Sequence, residues 1–409
     1  PAVMANPWHY GLKFDEGAQY HAGYDTAHGI EPYVYTEPWG RYRGFGKRPT
    51  PDGKPRYGEK APIVPVPELV ESILSERNYV GPEGRFDETR RRWAAALEHS
   101  AITDASGGWV FRHWTDEWSK DNWLSNVTCN PDPDLPQPNR ATMTWSDELW
   151  PAFRAAEASG GALKGVYLDS VSGFMGFNNE SFRRDHWRHA DIPLVPSEAT
   201  GGPAQLHAFA CVEFARQVAE EMWLRNLLVI ANTERPYMQF FCPLVDMIGA
   251  GETKMCGLAD DERYRYLRTY AGTKPVSWMD YSFINPKVPW EQKERGMKRC
   301  LHYAVHPGTG SFRERDAFER SRPLFRRYEP LIIRLGQAGW QPVTGAHVEA
   351  GDAPSPVLVE RYGSDADSVY FSLRNPTAEA RSGDLVASLP AALAKARDRL
   401  VCDALTGAP

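Results

Sequence analysis

Residues 165–170 constrain the fold of this chain more than any other segment of its sequence. They read Gly-Val-Tyr-Leu-Asp-Ser, so an apolar run ends on a carboxylate and a small polar residue follows. Strands of a parallel barrel are buried on both faces, and residues at their carboxyl ends line the catalytic mouth of the barrel. The pattern therefore predicts a buried strand that delivers Asp169 to a catalytic site.

Four downstream segments repeat this pattern of an apolar run that ends on polar or acidic residues. They are residues 227–234, 244–252, 275–280 and 300–306. Apolar residues recur at spacings of three and four in 208–224 and 260–271, which predicts helices between the strands. The alternation indicates parallel β/α units, whose right-handed crossovers bring the carboxyl ends of the strands to one face.

Upstream, residues 30–39 and 108–116 also run from apolar into acidic and aromatic residues, and residues 2–6 supply a first strand. With these the strands are enough for a (β/α)8 TIM barrel over residues 1–322, with an insertion around residues 41–100. Four acids then end successive strands: Asp169 strand 4, Glu234 strand 5, Glu252 strand 6 and Asp280 strand 7.

A second domain is predicted for residues 323–409. After a helical pattern at 323–335, alternating segments at 357–362 and 369–373 are bounded by turn-forming residues, which indicates a C-terminal antiparallel β-sandwich. The chain begins at Pro1 and stops at 403–409 in what resembles the approach to another strand. We therefore expect a fragment or a processed chain that is truncated at one or both ends.

Charge and hydropathy bear on the expected partners. The net charge of −6, with both signs well mixed, supplies no basic footprint for nucleic acid. No window approaches the ~18 to 20 apolar residues of a membrane helix, so neither nucleic acid nor a membrane is an expected partner. No signal peptide is visible, but truncation would remove one, and we favour a secreted or periplasmic location.

The sequence predicts neither a metal nor another cofactor. The six cysteines lack CxxC spacing. His186 and His189 fit a solvated helix face, and His302 and His306 lie too far apart along a predicted strand for easy co-ligation. A metal-dependent barrel typically begins with His-x-His, which residues 2–9 lack, and no glycine-rich dinucleotide fingerprint follows a strand.

Aromatic residues are abundant, with 14 Trp, 18 Tyr and 17 Phe, and many of the tryptophans fall near acids at predicted strand ends. Sugar rings stack on aromatic rings, and their hydroxyls bond to carboxylates, amides and imidazoles, so this placement favours a carbohydrate ligand. The alternative for any single aromatic residue is core filling, and a lone His or Asp at a strand end is more often structural. The candidates for sugar contact are Glu37, Trp39, His113, Trp114, Asp116, Trp118, Asn232, Trp278, Asp280 and His306.

The pattern as a whole resembles barrel glycoside hydrolases that carry a C-terminal β-sandwich. Within that group it is most similar to retaining α-glycosidases with an Asp nucleophile on strand 4, such as the α-galactosidase-like and endo-α-N-acetylgalactosaminidase-like enzymes. The resemblance is carried by Tyr-Leu-Asp-Ser at 167–170, by Asn-Thr-Glu at 232–234 and by the tail segments 359–363 and 369–375.

The resemblance implies that Asp169 is the nucleophile and that a second carboxyl group is the acid/base. Glu234 is favoured because some of the similar enzymes carry the acid on strand 5, and Glu252 is the alternative. Either could instead form an ion pair, with Arg235 or with Lys254.

The expected function is cleavage of glycosidic bonds in an oligosaccharide or glycoconjugate by a pair of carboxylates. Two alternatives stay open: a carbohydrate-binding barrel without catalysis, and an inverting glycosidase with a different acid pair. Carboxyl groups ~5 to 5.5 Å apart indicate retention, and ~6.5 to 9.5 Å indicates inversion.

Overall fold

The structure is a computed structural model of the chain. It describes residues 5–6, 22–23, 26–27, 31–47, 65–78, 80, 87–114, 122–171, 179–233, 236–253, 261–283, 285–308, 315–350, 353–364, 368–377, 379–395 and 403. The chain divides into two compact units, residues 3–231 and residues 1–2 with 232–409. Each unit contains its own parallel strands and helices.

The first unit contains the strands of the N-terminal half. They are β1 (Ala5–Asn6), β2 (Glu31–Thr36), β3 (Gly40–Lys47), β4 (Phe111–Trp114), β5 (Asn122–Thr128), β6 (Gly165–Leu168), β7 (Glu180–Ser181), β8 (Val195–Pro196), β9 (Pro203–Leu206) and β10 (Leu228–Asn232). Strands β1, β2, β6 and β10 lie side by side in that order and are parallel. Strands β3, β5 and β4 form an antiparallel sheet, as do β7, β9 and β8.

The first unit contains six described α-helices, two of which begin at a side-chain cap. They are α1 (Val66–Ser75), α2 (Glu88–Ser100), α3 (Arg140–Met143), α4 (Trp150–Ala158), α5 (Arg184–Trp187) and α6 (His207–Leu224). The Asp87 side chain accepts a bond from the Arg90 amide at the start of α2, and Asn139 and Thr142 form a capping box at the start of α3. A π-helical turn, Thr144–Leu149, joins α3 to α4.

The second unit has parallel strands followed by antiparallel ones. Its strands are β11 (Met247–Thr253), β12 (Val276–Asp280), β13 (Val305–Gly308), β14 (Trp340–Gln341), β15 (Ala346–Ala350), β16 (Ala353–Pro354), β17 (Leu358–Tyr362), β18 (Tyr370–Arg374) and β19 (Asp384–Ala387). Its α-helices are α7 (Asp261–Ala271), α8 (Trp290–His302), α9 (Arg315–Ala338) and α10 (Ala391–Lys395). Strands β11, β12 and β13 are parallel, whereas β14, β17 and β18, and likewise β16, β15 and β19, form antiparallel sheets.

The α/β class with parallel strands is confirmed, but two predicted barrel strands differ from the structure. Within the segment 108–116, residues 111–114 form β4, which pairs antiparallel with β5. Only seven residues, 115–121, separate β4 from β5, and a parallel crossover needs a dozen or more. In the segment 300–306, the first three residues complete α8, and β13 starts only at Val305.

The start of β6 is packed closely against β10. A Cβ atom on Gly165 would lie 1.7 Å from the carbonyl oxygen of Leu228. No side chain larger than hydrogen can occupy that space, so glycine at 165 permits the pairing of β6 with β10. This pairing also fixes the position of Asp169 along the strand direction, because Asp169 follows β6 directly.

Candidate functional site

The candidate site lies at the carboxyl ends of β2 and β6. These strands pair in parallel, with Tyr35 opposite Tyr167 and Thr36 opposite Leu168. The ladder continues one residue further, because the Asp169 amide donates to the Thr36 carbonyl at 3.0 Å. Glu37 and Asp169 therefore leave the two strands at the same edge, which brings two predicted acids together.

Tyr35 holds the side chain of Asp169. The phenol donates to Asp169 Oδ2 at 2.5 Å, and Asp169 is only 7% exposed. The Tyr35 and Tyr167 rings stack with their centroids 5.9 Å apart. Burial, followed by the charges of Glu37 and Asp169, raises the pKa of Tyr35 well above its usual value, so the phenol keeps its proton and remains a donor.

Glu37 lies beside Asp169, and the two carboxyl groups share Tyr35 as a hydrogen-bond partner. The Ser170 hydroxyl donates to Glu37 Oε1, and Tyr35 also bonds to the Glu37 carboxyl group. Burial first, and the charge of Asp169 second, raise the pKa of Glu37 to about 7 against the lowering effects of Ser170, Tyr35 and Arg140. Near neutral pH this carboxyl group therefore holds a proton in a large fraction of the molecules.

Ser170 adopts a backbone conformation that is unfavourable for its residue type. Its φ is 54°, in the left-handed region that costs a residue with a Cβ atom about 1–2 kcal/mol. Strained residues of this kind cluster at functional sites, where the surrounding structure holds them in place. Here the strained conformation coincides with the hydrogen bond from the Ser170 hydroxyl to Glu37.

Trp39 supports the main chain of Asp169 from the core. Its indole N–H donates to the Asp169 carbonyl oxygen at 2.6 Å, and its ring meets Phe214 edge-on at 6.3 Å. The side chain is 2% exposed, so it packs in the core and presents no open face. Contact between Trp39 and a sugar stays a prediction.

Arg140 fixes the main chain that carries Glu37. The buried guanidinium donates to the carbonyls of Glu37, at 3.0 Å, and Gly40, at 3.1 Å. It forms an ion pair with Glu148 at 3.1 Å, and Glu148 in turn accepts a bond from the Thr36 hydroxyl at 2.7 Å. Arg140 and Glu148 thus anchor the end of β2 and the start of β3.

Three predicted sugar contacts on β12 and β13 have protein partners in the second unit. Trp278 is buried against Tyr264, with ring centroids 4.7 Å apart. Asp280 is buried and accepts a bond from the Ser282 amide at 2.8 Å. The Nδ1 atom of His306 lies 2.7 Å from Glu329 Oε1. Each of the three residues thus has a contact within the protein that gives it a structural role. Sugar binding by them stays a prediction.

The remaining predicted residues either lie outside the described residues or are placed by their backbone. Glu234, Asp116 and Trp118 lie outside the described residues. The backbone places His113 and Trp114 on β4, Glu252 on β11 and Asn232 at the end of β10. The side chains of His113, Trp114 and Glu252 lie outside the described part of the structure. The Asn232 side chain is half-buried. The choice between Glu234 and Glu252 as the acid/base stays a prediction.

The sequence analysis missed Tyr35, Ser170 and Arg140. Tyr35 could have been found from strand geometry, because residues two apart on an extended strand point to the same side, as Tyr35 and Glu37 do. Ser170 follows Asp169 directly, but its conformation left no signal in the sequence. Arg140 lies more than a hundred residues after Glu37, and no local pattern connects the two.

The described residues include neither a metal-binding cluster nor a membrane-spanning helix. Among them, no group of three or more His, Cys, Asp or Glu side chains could hold a metal ion. No helix in that part of the chain is long and apolar enough to cross a membrane.

Comparisons with known proteins find similarity to solved structures. No protein-family model and no curated protein matches the sequence. The structure is similar to the cycloalternan-degrading enzyme from Trueperella pyogenes, with a TM-score of 0.39 and 12% identity over 88% of this chain and 50% of that chain. It is also similar to the α-N-acetylgalactosaminidase NagBb from Bifidobacterium bifidum in its GalNAc complex, with a TM-score of 0.35 and 14% identity over 88% and 52%. The chain spans about half the length of these two proteins.

Proposed function

We propose that this chain is a glycoside hydrolase with Asp169 as its nucleophile. The observation that carries the proposal is the placement of Asp169: a buried carboxylate at the end of β6, held at its side chain by Tyr35 and at its main chain by Trp39. Attack on an anomeric carbon requires a carboxylate fixed in one place, and the two bonds supply that restraint.

The proposed reaction proceeds in two steps with retention. In the first, an Asp169 oxygen bonds to the anomeric carbon, the bond to the departing oxygen breaks, and that oxygen receives a proton from the acid/base. In the second, water attacks the anomeric carbon after the same residue removes its proton, and Asp169 leaves as a carboxylate. We propose Glu234 for the acid/base role, or failing it Glu252.

The proposed substrate is an oligosaccharide or a glycoconjugate. We also propose that the parallel strands belong to a (β/α)8 barrel over residues 1–322 and that residues 323–409 form a β-sandwich domain. Parallel pairing within each unit supports the barrel, and the antiparallel sheets that follow residue 340 support the sandwich.

The test compares Asp169→Asn with wild type on a panel of aryl glycosides. The amide keeps the shape of the side chain but cannot act as the nucleophile, so turnover should be lost while the melting temperature changes little. Asp147→Asn is the matched control, since Asp147 lies in the same unit and pairs with Arg92 at 3.4 Å. Near-normal activity of Asp169→Asn on every substrate that wild type cleaves would overturn the proposal.

The acid/base assignment needs its own experiment. With an activated aryl leaving group, alanine at the true acid position should spare the first step and slow the second. Added azide should then restore the rate, because a small anion attacks the glycosyl-enzyme without base assistance. Rescue of Glu234→Ala alone supports Glu234, and rescue of Glu252→Ala alone supports Glu252.

A further inference from the structure

Tyr35 contacts both carboxyl groups of the candidate site. Its hydroxyl lies 2.5 Å from Asp169 Oδ2, and it also hydrogen-bonds Glu37. A phenol has a single proton to donate, and its oxygen can accept a bond at the same time. When Tyr35 donates to Asp169, its oxygen is therefore available to a proton carried by Glu37.

The charges around the two carboxyl groups favour such an arrangement. Two desolvated carboxylates at one edge of paired strands repel each other, which favours a proton on one of them. Arg140 is the cation that acts on Glu37, but it is paired with Glu148 and donates to the Glu37 main chain. Its charge is thus shared with a third carboxylate.

The identity of the protonated group follows from the contacts. Tyr35 donates to Asp169, and a donor of this kind stabilises the charged form of its acceptor. Burial and the charge of Asp169 act together to retain a proton on Glu37. The ring of Tyr167 stacks on Tyr35, and the Ser170 hydroxyl donates to Glu37.

We propose that Tyr35 is a positioning residue that joins Glu37 and Asp169 into one hydrogen-bonded unit with a single negative charge, held on Asp169. The inference rests on the proposed function of Asp169 as the nucleophile. Through the reaction the Tyr35 proton stays on the phenol and the Glu37 proton stays on its carboxyl group. The phenol therefore fixes the orientation of the nucleophile without entering the proton transfers.

The test is a double-mutant cycle of Tyr35→Phe and Glu37→Gln, read as the urea midpoint at about pH 5 and about pH 8. At the lower pH Glu37 is neutral, and Tyr35→Phe removes the bond to Asp169 and the bond with Glu37 but leaves only one charged carboxyl group. At the higher pH the same change leaves two charged carboxyl groups without the donor between them. Tyr35→Phe should therefore lower the midpoint at least about twice as much at the higher pH, and equally at both in the Glu37→Gln background.

Tyr328→Phe is the matched control. The Tyr328 phenol donates to Glu294 Oε1 at 2.7 Å in the second unit, so the change removes a bond of the same type. Glu294 also faces two cations, Lys298 and Arg327, at 3.7 and 3.5 Å. The decrease in urea midpoint caused by Tyr328→Phe should therefore be the same at both pH values. Equal losses for Tyr35→Phe at both pH values and in both backgrounds would overturn the inference, since a merely structural tyrosine behaves in that way.

Kinetics separate the inference from the function on which it rests. Tyr35→Phe should lower kcat on an aryl glycoside by about tenfold or more and leave KM within about twofold, because orientation of the nucleophile matters in the transition state. An unchanged kcat would overturn the positioning role, even where Asp169→Asn is inactive. A wild type that cleaves no glycoside would overturn the proposed function, and the urea cycle would then decide whether the hydrogen-bonded unit exists.

Discussion

Replacing Glu37 by Gln should remove a pH dependence of stability that the wild-type protein carries. The pKa of Glu37 is raised from 4.5 to about 7, by burial first and by the charge of Asp169 second. Because the pKa in the folded state exceeds that in the unfolded state, the folded protein binds the proton more tightly. This contribution to stability is complete below about pH 4.5 and is lost as the pH rises through about 7.

The size of the effect follows from the shift. A rise of about 2.5 pKa units, from 4.5 to about 7, corresponds to about 3 kcal/mol at about 1.4 kcal/mol per unit. Glu37 is half-buried, and screening by solvent reduces the expected value to about 2 kcal/mol. Gln carries no charge at any pH, so the variant should lack this part of the decline.

The assay is urea unfolding of wild type and Glu37→Gln at several pH values between about 4.5 and 8.5. Burial also raises the pKa of Asp132 to about 6 and that of Glu213 to about 7. These two groups make the free energy of unfolding fall with rising pH in both proteins alike. The difference between the two proteins therefore isolates Glu37. Glu379→Gln, at a side chain that is 75% exposed, is the control. A difference between wild type and Glu37→Gln that stays constant across this range would refute the reasoning.

Substitutions at three further positions, measured by urea or thermal unfolding, test the contacts that hold the candidate site in place. Arg140→Met should destabilise the protein by about 3 kcal/mol because the carbonyls of Glu37 and Gly40 lose their donor and the half-buried Glu148 keeps only the longer ion pair with Arg41, at 3.6 Å, whereas Met at the exposed Arg154 should have little effect. Equal losses at the two positions would contradict this account. Ser170→Gly should be more stable than Ser170→Ala by about 1 kcal/mol, because both lose the bond to Glu37 but only glycine relieves the positive φ; equal stability would show that the conformation is unstrained. Gly165→Ala should lower the melting temperature sharply or prevent folding, and a wild-type melting temperature would disprove the close approach of β6 and β10.

The sequence was informative where a residue's role depends on its position along a strand. Glu37 and Asp169 each follow an apolar run, and parallel pairing of two such runs places their terminal residues at the same edge. The same reasoning identified the strands before Glu252 and Asp280. Apolar periodicity likewise predicted the helix from 208 to 224, which is α6.

The sequence was uninformative where a role depends on contacts between distant segments. Nothing local distinguishes Trp39, whose ring is buried, from a tryptophan that stacks on a sugar; the difference lies in the carbonyl of Asp169 and the ring of Phe214. The strand at 108–116 was assigned to the barrel because an apolar run looks the same in a parallel and an antiparallel sheet. Its pairing with β5 follows from the short connection between them.

The indole of Trp39 connects the candidate site to the interior packing of its unit. One end of this side chain lies against Phe214 on α6, and the other holds the carbonyl of Asp169. Closely packed interiors transmit small displacements, so trimming Phe214 would shift the carboxylate as well as loosen the core. Under the proposed function, natural variation at such interior positions would alter turnover as well as folding, and residues remote from the substrate would help to set the rate.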